Sequence, residues 1–211
     1  MLFFFDLAFK NSTKLGISLY PVSAIITISY IPIEEVCFMK PVTTKKLTIT
    51  ALFMAMNILM STSVMSVPVP GGHMYLNDII IVSAAILLEP FYAFVVGGVG
   101  AFLGDLLFYP APMFVSLFTH GLQAVVISLF VHRIMKKRPF AASVTGAFIG
   151  WIIAVVGYTF GRTYIYSTPE YALLKLPFQI LQDGVGSALA IILCYKLHLS
   201  DMYYRFFPKT A

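Results

Sequence analysis

The chain has 211 residues, of which 59% are hydrophobic and 11% charged, and its mean hydropathy is +0.89. Because a soluble domain carries about a quarter charged residues, this composition excludes a soluble fold and a separate soluble domain. The net charge of +5 does not indicate nucleic acid, since the basic residues lie between apolar runs. Cys37 and Cys194 lie far apart in or beside apolar segments, which argues against a disulfide framework or a CxxC metal site.

Six apolar segments predict an all-α polytopic membrane protein. A helix needs about 20 apolar residues to cross a hydrocarbon core about 30 Å thick, which limits this chain to six or seven spans. The second segment is short, so it either begins within the membrane or is continued by the preceding loop. Prolines and glycines mark most boundaries, and a polar loop over residues 161–175 is expected before the last span. The predicted spans are residues 47–65, 76–88, 91–108, 113–131, 141–160 and 176–197.

The distribution of lysine and arginine predicts the orientation. With six spans, ten basic residues fall on one side of the membrane, against Arg162 and Lys175 on the other. Because cytoplasmic loops carry the excess of positive charge, both termini are predicted to be cytoplasmic. The ten are Lys40, Lys45, Lys46, Arg133, Lys136, Lys137, Arg138, Lys196, Arg205 and Lys209.

The first 38 residues have three interpretations. An apolar stretch here is long enough for a seventh span, but Pro21 and Pro32 interrupt it. A signal-like segment is a poor match, because no A-x-A site follows. The preferred interpretation is that Met39 starts the protein, with residues 1–38 an upstream extension and residues 39–211 the six-helix domain.

Helical spacing places several polar side chains of the later segments on shared faces. Residues three or four apart on a helix are neighbours on its surface. Their amide, imidazole, guanidinium and carboxyl groups are candidates for binding a polar solute. The pairs are His120 with Gln123, Tyr158 with Arg162, and Gln179 with Asp183.

Ionisable residues inside a membrane are costly and usually face a cavity or a partner, so Asp105 and Asp183 are functional candidates. Two structural alternatives stay open: an ion pair between Asp183 and Arg162, and a helix-capping role for Asp78. In the first segment, Ala51 and Ala55 form a small-xxx-small pair that lets another helix approach closely, either inside the bundle or in a partner.

Three stretches of sequence together resemble the substrate-binding S components of energy-coupling factor (ECF) transporters. They are TKKLTITALFMAMN, then PVPGGHMYLNDIIIVSAAILLEPFYAFVVGGVGAFLGDLLFY, then LPFQILQDGVGSALA. The shared features are a basic tail, the AxxxA pair, a Gly-Gly loop before an Asn-Asp helix start, a glycine-rich third helix ending in Asp-Leu, and a sixth helix starting with a Pro, Gln and Gly pattern. The last pattern is Pro177, Gln182 and Gly186.

The resemblance implies a non-enzymatic six-helix bundle that binds a vitamin from outside and docks onto a membrane scaffold subunit with two ATPase subunits. Ala51 and Ala55 then become contacts with the scaffold. The chain has no G-x-x-x-x-G-K-[ST] loop, so ATP is used by the partner subunits and no cofactor or metal is expected in this chain. Membrane lipid is the remaining expected partner.

The resemblance also implies a pocket near the outer surface, closed by the loop over residues 66–75. Gly71 and Gly72 supply the freedom a lid requires, and His73 and Tyr75 can cover a ring, although a solvated loop histidine is the alternative. The predicted substrate-binding residues are His73, Tyr75, Asn77, His120, Gln123, Tyr158, Arg162, Gln179 and Asp183.

Aromatic, amide and carboxylate groups suit a small heteroaromatic alcohol such as pyridoxine or hydroxymethylpyrimidine. Because Arg162 can bind a carboxylate, pantothenate or another carboxylate is an alternative solute, and riboflavin is a further alternative. Two rivals come from other classes. One is an intramembrane metal enzyme using Asp105, His120 and Asp183, although neither H-E-x-x-H nor a serine motif is present. The other is a channel or secondary carrier that works without partners.

Overall fold

The computed structural model describes residues 44–62, 66–70 and 72–207. Within them the all-α prediction holds, with one small hairpin added. Interpretations that rest on residues 1–38, Lys40, Gly71 or Lys209 lie outside the described residues. The elements are α1 (Thr44–Met60), β1 (Val67–Val69), β2 (Gly72–Met74), α2 (Asn77–Leu87), α3 (Pro90–Phe108), α4 (Met113–Ile134), α5 (Pro139–Tyr166), α6 (Pro169–Lys196) and α7 (Leu199–Phe206).

Several of the described helices have the length and composition of membrane spans. Among the described residues, α3, α4, α5 and α6 are each long and apolar enough to cross a bilayer. The helix α1 has 17 residues and the apolar α2 has 11. Since a crossing needs about 20 residues, α2 does not reach across alone. Four long helices with two shorter ones are compatible with the predicted six-helix bundle.

The outer surface of the bundle is apolar. Large hydrophobic side chains project from α4, α5 and α6 with more than 40% of their surface exposed. A surface of this kind is stable against lipid tails and not against water. Examples are Phe118, Leu122, Phe148, Val156, Leu173 and Leu181.

The helix α2 forms the centre of the bundle. Every residue from Ile80 to Leu88 is buried, and α1, α4 and α6 pack around it. This enclosure explains why its sequence is almost continuously apolar. The helices α3 and α4 approach closely at Gly97, where a Cβ atom would lie 2.8 Å from the carbonyl oxygen of His120.

The predicted polar loop over residues 161–175 is wrong. The helix α5 continues to Tyr166 through a π-helical turn, and α6 begins at Pro169, so two residues connect them. Thr168 caps α6, its hydroxyl accepting a hydrogen bond from the backbone N–H of Tyr171 at 3.4 Å. Pro177 therefore lies inside α6 and does not start it.

The loop prediction failed because it treated polar residues as solvated. Arg162 and Lys175 are 8% and 7% exposed, and both find partners inside the protein. The Arg162 guanidinium donates to Gln179, and the Lys175 ammonium donates to the His73 carbonyl. Helical backbone also satisfies its own hydrogen bonds, so a polar side chain does not by itself end a membrane helix.

Short connections make the helices alternate in direction, so the bundle has two ends that differ in their contacts. At one end, the Lys46 ammonium lies 2.8 Å from Glu89 Oε1, joining the start of α1 to the α2–α3 junction. At the same end, the hydroxyls of Ser143 and Tyr195 are 2.7 Å apart and join α5 to α6. The hairpin and the cavity described below lie at the other end.

A β-hairpin and a terminal helix were not predicted. Strands β1 and β2 pair antiparallel, with Val67 opposite Met74, and Gly72 has φ +122°, a conformation that favours glycine. The short helix α7 follows α6 and is tied back to it, because the Ser200 hydroxyl donates to the Cys194 carbonyl at 2.7 Å. Burial in this region raises the pKa of Tyr203 to about 12.

Candidate functional site

A cavity of about 200 Å³ lies at the hairpin end of the bundle, beneath β2 and between α3, α4, α5 and α6. Its walls combine aromatic rings with charged groups of both signs, a combination that suits a polar ring compound. The aromatic wall residues, apart from two histidines, are Tyr75, Tyr109, Tyr158, Tyr166, Tyr171 and Phe178.

The structure brings most of the predicted site residues to this cavity. Gln123 and Asp183 do not line it but lie behind it, hydrogen-bonded to His120 and Gln179. Their roles in binding remain predictions, while their proximity is a property of the fold. The predicted residues that line the cavity are His73, Tyr75, Asn77, His120, Tyr158, Arg162 and Gln179.

The hairpin covers the cavity and is held to α6 by two hydrogen bonds. The backbone N–H of Tyr75 donates to Gln182 Oε1 at 2.9 Å, and Lys175 Nζ donates to the carbonyl oxygen of His73 at 2.9 Å. Burial, with the nearby Asp105 carboxylate, raises the pKa of Tyr75, so its phenol stays neutral at physiological pH. That this cover opens as a lid remains a prediction.

One wall of the cavity is acidic. Asp105, near the end of α3, accepts a hydrogen bond from the hydroxyl of Ser116. The Ser116 hydroxyl also lies 2.6 Å from the phenol oxygen of Tyr158. Asp105 and Tyr158 both line the cavity, so this wall offers a solute one carboxyl group whose position is set by a neighbouring helix.

The opposite charge comes from Arg162. Its Nη2 donates to Gln179 Oε1 at 2.6 Å, and its Cζ lies 5.3 Å from the centre of the Tyr158 ring. Its Nη1 is buried and has no hydrogen-bond partner within the described part of the chain. A guanidinium held at one edge with a donor left over is suited to an acceptor group on a ligand.

A polar network lies beneath the cavity. His120 Nδ1 is 2.7 Å from Gln123 Oε1, and Gln123 Nε2 donates to Asp78 Oδ1 at 3.1 Å. On α6, Gln179 Nε2 donates to Asp183 Oδ1 at 2.7 Å. The pairs predicted from helical spacing are therefore in contact.

The capping role for Asp78 and the direct ion pair between Asp183 and Arg162 are both wrong. Asp78 does not cap α2, because Leu76 occupies the N-cap position and the Asp78 carboxylate turns into the bundle toward Gln123. Asp183 does not pair directly with Arg162 in the described structure; Gln179 lies between them and bonds to both.

Sequence reasoning missed Tyr171 and Lys175 as cavity residues because it placed residues 161–175 in a loop. Tyr171, Lys175, Phe178 and Gln182 follow the spacing i, i+4, i+7 and i+11, which places them on one face of a helix. A predicted helix beginning at Pro169 would have placed these four residues on one face. For the same reason Gln179 and Asp183 do not begin α6 but lie well inside it.

The described residues contain no metal site of the kind that the metal-enzyme alternative requires. No three side chains from His, Cys, Asp and Glu cluster as metal ligands there. The three residues considered for that role have other neighbours: Asp105 bonds to Ser116, His120 lies against Gln123, and Asp183 bonds to Gln179.

The small-residue pair of α1 lies on the outside of the bundle. Ala51 and Ala55 are exposed, next to the exposed side chains of Leu52, Met56 and Leu59. Packing inside the described bundle is therefore not what these alanines provide. Their predicted contact with a scaffold subunit remains a prediction.

Comparison with known proteins agrees with this architecture. A family model described as "ECF-type riboflavin transporter, S component" matches residues 41–199. An uncharacterised protein of Pyrococcus woesei is 28% identical over 131 residues, which cover 61% of this chain and 86% of that protein. A solved structure described as "Structure and mechanism of the S component of a bacterial ECF transporter" superposes with a TM-score of 0.58 at 19% identity, covering 79% of this chain and 99% of the other.

These matches confirm the S-component resemblance and the helical membrane fold. S components are membrane-embedded, non-enzymatic substrate-binding proteins that work with a scaffold and an ATPase module. The enzyme alternative is thereby set aside. Since the family model covers most of its length, the chain belongs to the family of ECF-type riboflavin transporter S components.

Proposed function

We propose that this protein captures a small hydroxylated nitrogen heterocycle, of the pyridoxine or hydroxymethylpyrimidine type, from outside the cell and presents it for ATP-driven uptake. The observation that carries the proposal is the cavity in which Asp105 and Arg162 present opposite charges among aromatic rings. Both charged groups are held by protein hydrogen bonds, so they are positioned before a solute arrives.

The chemistry of such a solute matches the cavity. The ring of pyridoxine carries a protonatable nitrogen and an acidic hydroxyl, and an aminopyrimidine carries a ring nitrogen beside an amino group. Asp105 can accept a hydrogen bond from either nitrogen group, while Arg162 can donate to an oxygen. Tyrosine rings around the cavity supply stacking and edge contacts for a flat molecule.

Riboflavin is the second candidate, because the matching family model carries that vitamin in its description. Its larger, uncharged ring system would use the aromatic walls more than the charged groups. Pantothenate is a third candidate, because its carboxylate would suit Arg162 Nη1, which has no hydrogen-bond partner among the described residues.

The direction of capture follows from the charge distribution. The basic loops lie at the end of the bundle opposite the cavity, which supports cytoplasmic termini and a cavity that opens outward. Solute entry requires the hairpin to release Gln182 and Lys175, and a bound solute closes it again.

Delivery requires partners. The exposed alanine pair of α1 supports docking of this face against the scaffold subunit, which carries two ATPase subunits. With no ATP-binding loop in its sequence, this chain supplies recognition and leaves energy conversion to that module.

Titration calorimetry on the purified protein in nanodiscs tests the solute. Pyridoxine, hydroxymethylpyrimidine, riboflavin and pantothenate are compared, and one of the first two should bind most tightly. Asp105→Asn and Arg162→Gln should each weaken that binding about tenfold or more, since each loses a charge-assisted hydrogen bond. Arg133→Gln, at the opposite end, is the matched control. Tighter binding of riboflavin with no effect of either substitution would contradict the choice of solute.

A further inference from the structure

Two buried acids meet beneath the cavity. Asp78 on α2 and Asp183 on α6 are both 0% exposed. Their helices touch at this point, because a Cβ atom at Gly186 would lie 2.6 Å from the Asp78 Cβ. Asp183 lies three residues before Gly186 on α6, so its carboxyl group is on the side of α6 that contacts Asp78. This acid pair, Asp78 and Asp183, belongs to neither wall of the cavity.

Each carboxyl group of the acid pair has one oxygen satisfied and one left over. Asp78 Oδ1 accepts from Gln123, and Asp183 Oδ1 accepts from Gln179. The Oδ2 atoms of both residues are buried and receive no hydrogen bond from any other described group. Two orphaned oxygens on adjacent buried carboxyls are unexpected, because buried polar atoms are rarely left unpaired.

A proton between the two carboxyl groups would give both orphaned Oδ2 atoms a hydrogen-bond partner. Two carboxylates side by side in a low-dielectric interior cannot both stay ionised, and one shared proton turns their repulsion into a hydrogen bond. The O–H of one acid then donates to the orphaned oxygen of the other. The pair keeps a single negative charge, which offsets part of the positive charge of Arg162, one glutamine away.

The acid pair completes a chain of polar contacts between two cavity walls. From one wall it runs His120, Gln123, Asp78, and from the other Arg162, Gln179, Asp183. It thereby crosses four helices, α4, α2, α6 and α5. The other ionisable groups that face this region are Tyr158 on α5 and Asp105 on α3, besides His120 and Arg162.

We propose that Asp78 and Asp183 share one proton, and that this acid pair is the positioning unit that fixes His120 and Arg162 toward the solute. The amide of Gln123 must donate to Asp78, which leaves its oxygen to accept from His120 Nδ1 and so sets the histidine tautomer. The amide of Gln179 likewise donates to Asp183 and accepts from Arg162. The positioning part rests on the proposed function; the shared proton does not.

Infrared difference spectroscopy in H2O and D2O tests the proton directly. Wild-type protein should show a carbonyl band of a protonated carboxyl group that is lost in both Asp183→Asn and Asp78→Asn. A sodium ion between the two carboxylates would be the alternative to a proton, so the band should be equally strong in sodium and choline buffers. Asp201→Asn, an exposed acid on α7, is the control and should leave the band in place. A band that persists in both pair variants, or that appears only without sodium, would overturn the shared proton.

Solute binding tests the positioning role. In Asp183→Asn the amide N–H replaces the acid O–H as donor to Asp78, so affinity should stay within about threefold. In Asp183→Leu that donor is absent and Gln179 loses its acceptor, so affinity should fall about tenfold or more. Equal affinity of the two variants would overturn the positioning role. If no vitamin binds wild type while the infrared band is present, the proposed function fails and the shared proton stands.

Discussion

Replacing Gly186 by alanine should destabilise the bundle at the contact between α2 and α6. The added Cβ would lie 2.6 Å from the Asp78 Cβ, with backbone atoms of Asp78 and Ile79 at 3.5 Å. Such an overlap cannot be relieved by a side-chain rotation, and α2 is enclosed on all sides by the other helices. Overpacking of this kind costs about 1–3 kcal/mol.

Gly184 supplies the matched control on the same helix. A Cβ atom there would meet its nearest neighbours, atoms of the Trp151 ring, at 3.7 Å, which is ordinary van der Waals contact. Alanine is favoured over glycine within a helix by roughly 0.5–1 kcal/mol. We therefore expect Gly184→Ala to be neutral or mildly stabilising and Gly186→Ala to be destabilising.

A thiol-reactive dye can follow unfolding, because Cys194 is buried and becomes reactive when α6 opens. The assay uses a Cys37→Ser background and the protein in detergent. For a chain of this length, 1 kcal/mol corresponds to about 2–4 °C in the midpoint of unfolding. Equal midpoints for Gly186→Ala and Gly184→Ala would refute the close contact between α2 and α6.

The other predictions concern docking, the hairpin and the surface. Enlarging Ala51 and Ala55 to leucine should abolish uptake with the full transporter while solute binding by calorimetry is unchanged; loss of binding would count against docking there. Lys175→Met should speed solute release in stopped-flow measurements, because the hairpin loses a bond to α6; an unchanged rate would argue against a lid. Gly72→Ala should also speed solute release, because alanine is strained at the positive φ of this position. Lys46→Met should change stability by less than about 1 kcal/mol, since its ion pair is partly exposed.

The helical membrane architecture could be predicted because it depends on composition. Long apolar runs have one low-energy state in lipid, a helix that satisfies its own backbone, and proline marks where several of them begin. Pro90, Pro139 and Pro169 each occupy the first turn of a helix in the structure. The S-component resemblance followed from motifs spread over the same segments.

Part of the site could also be predicted, because helical spacing determines which side chains of one helix are neighbours. His120 with Gln123 and Gln179 with Asp183 are in contact as expected. Spacing alone could not show that Gln123 reaches Asp78 on a different helix, a contact that only packing decides.

From the amino-acid sequence alone one can predict that the chain lies in a membrane, that it is helical, and which residues share a helix face. The packing of the helices was needed to show that Arg162 and Lys175 lie within helices, because their polar groups bond to Gln179 and to the His73 carbonyl from elsewhere in the fold. Local periodicity describes one helix at a time. A buried charge is stable only when a second element supplies its partner, and that partner is chosen by packing.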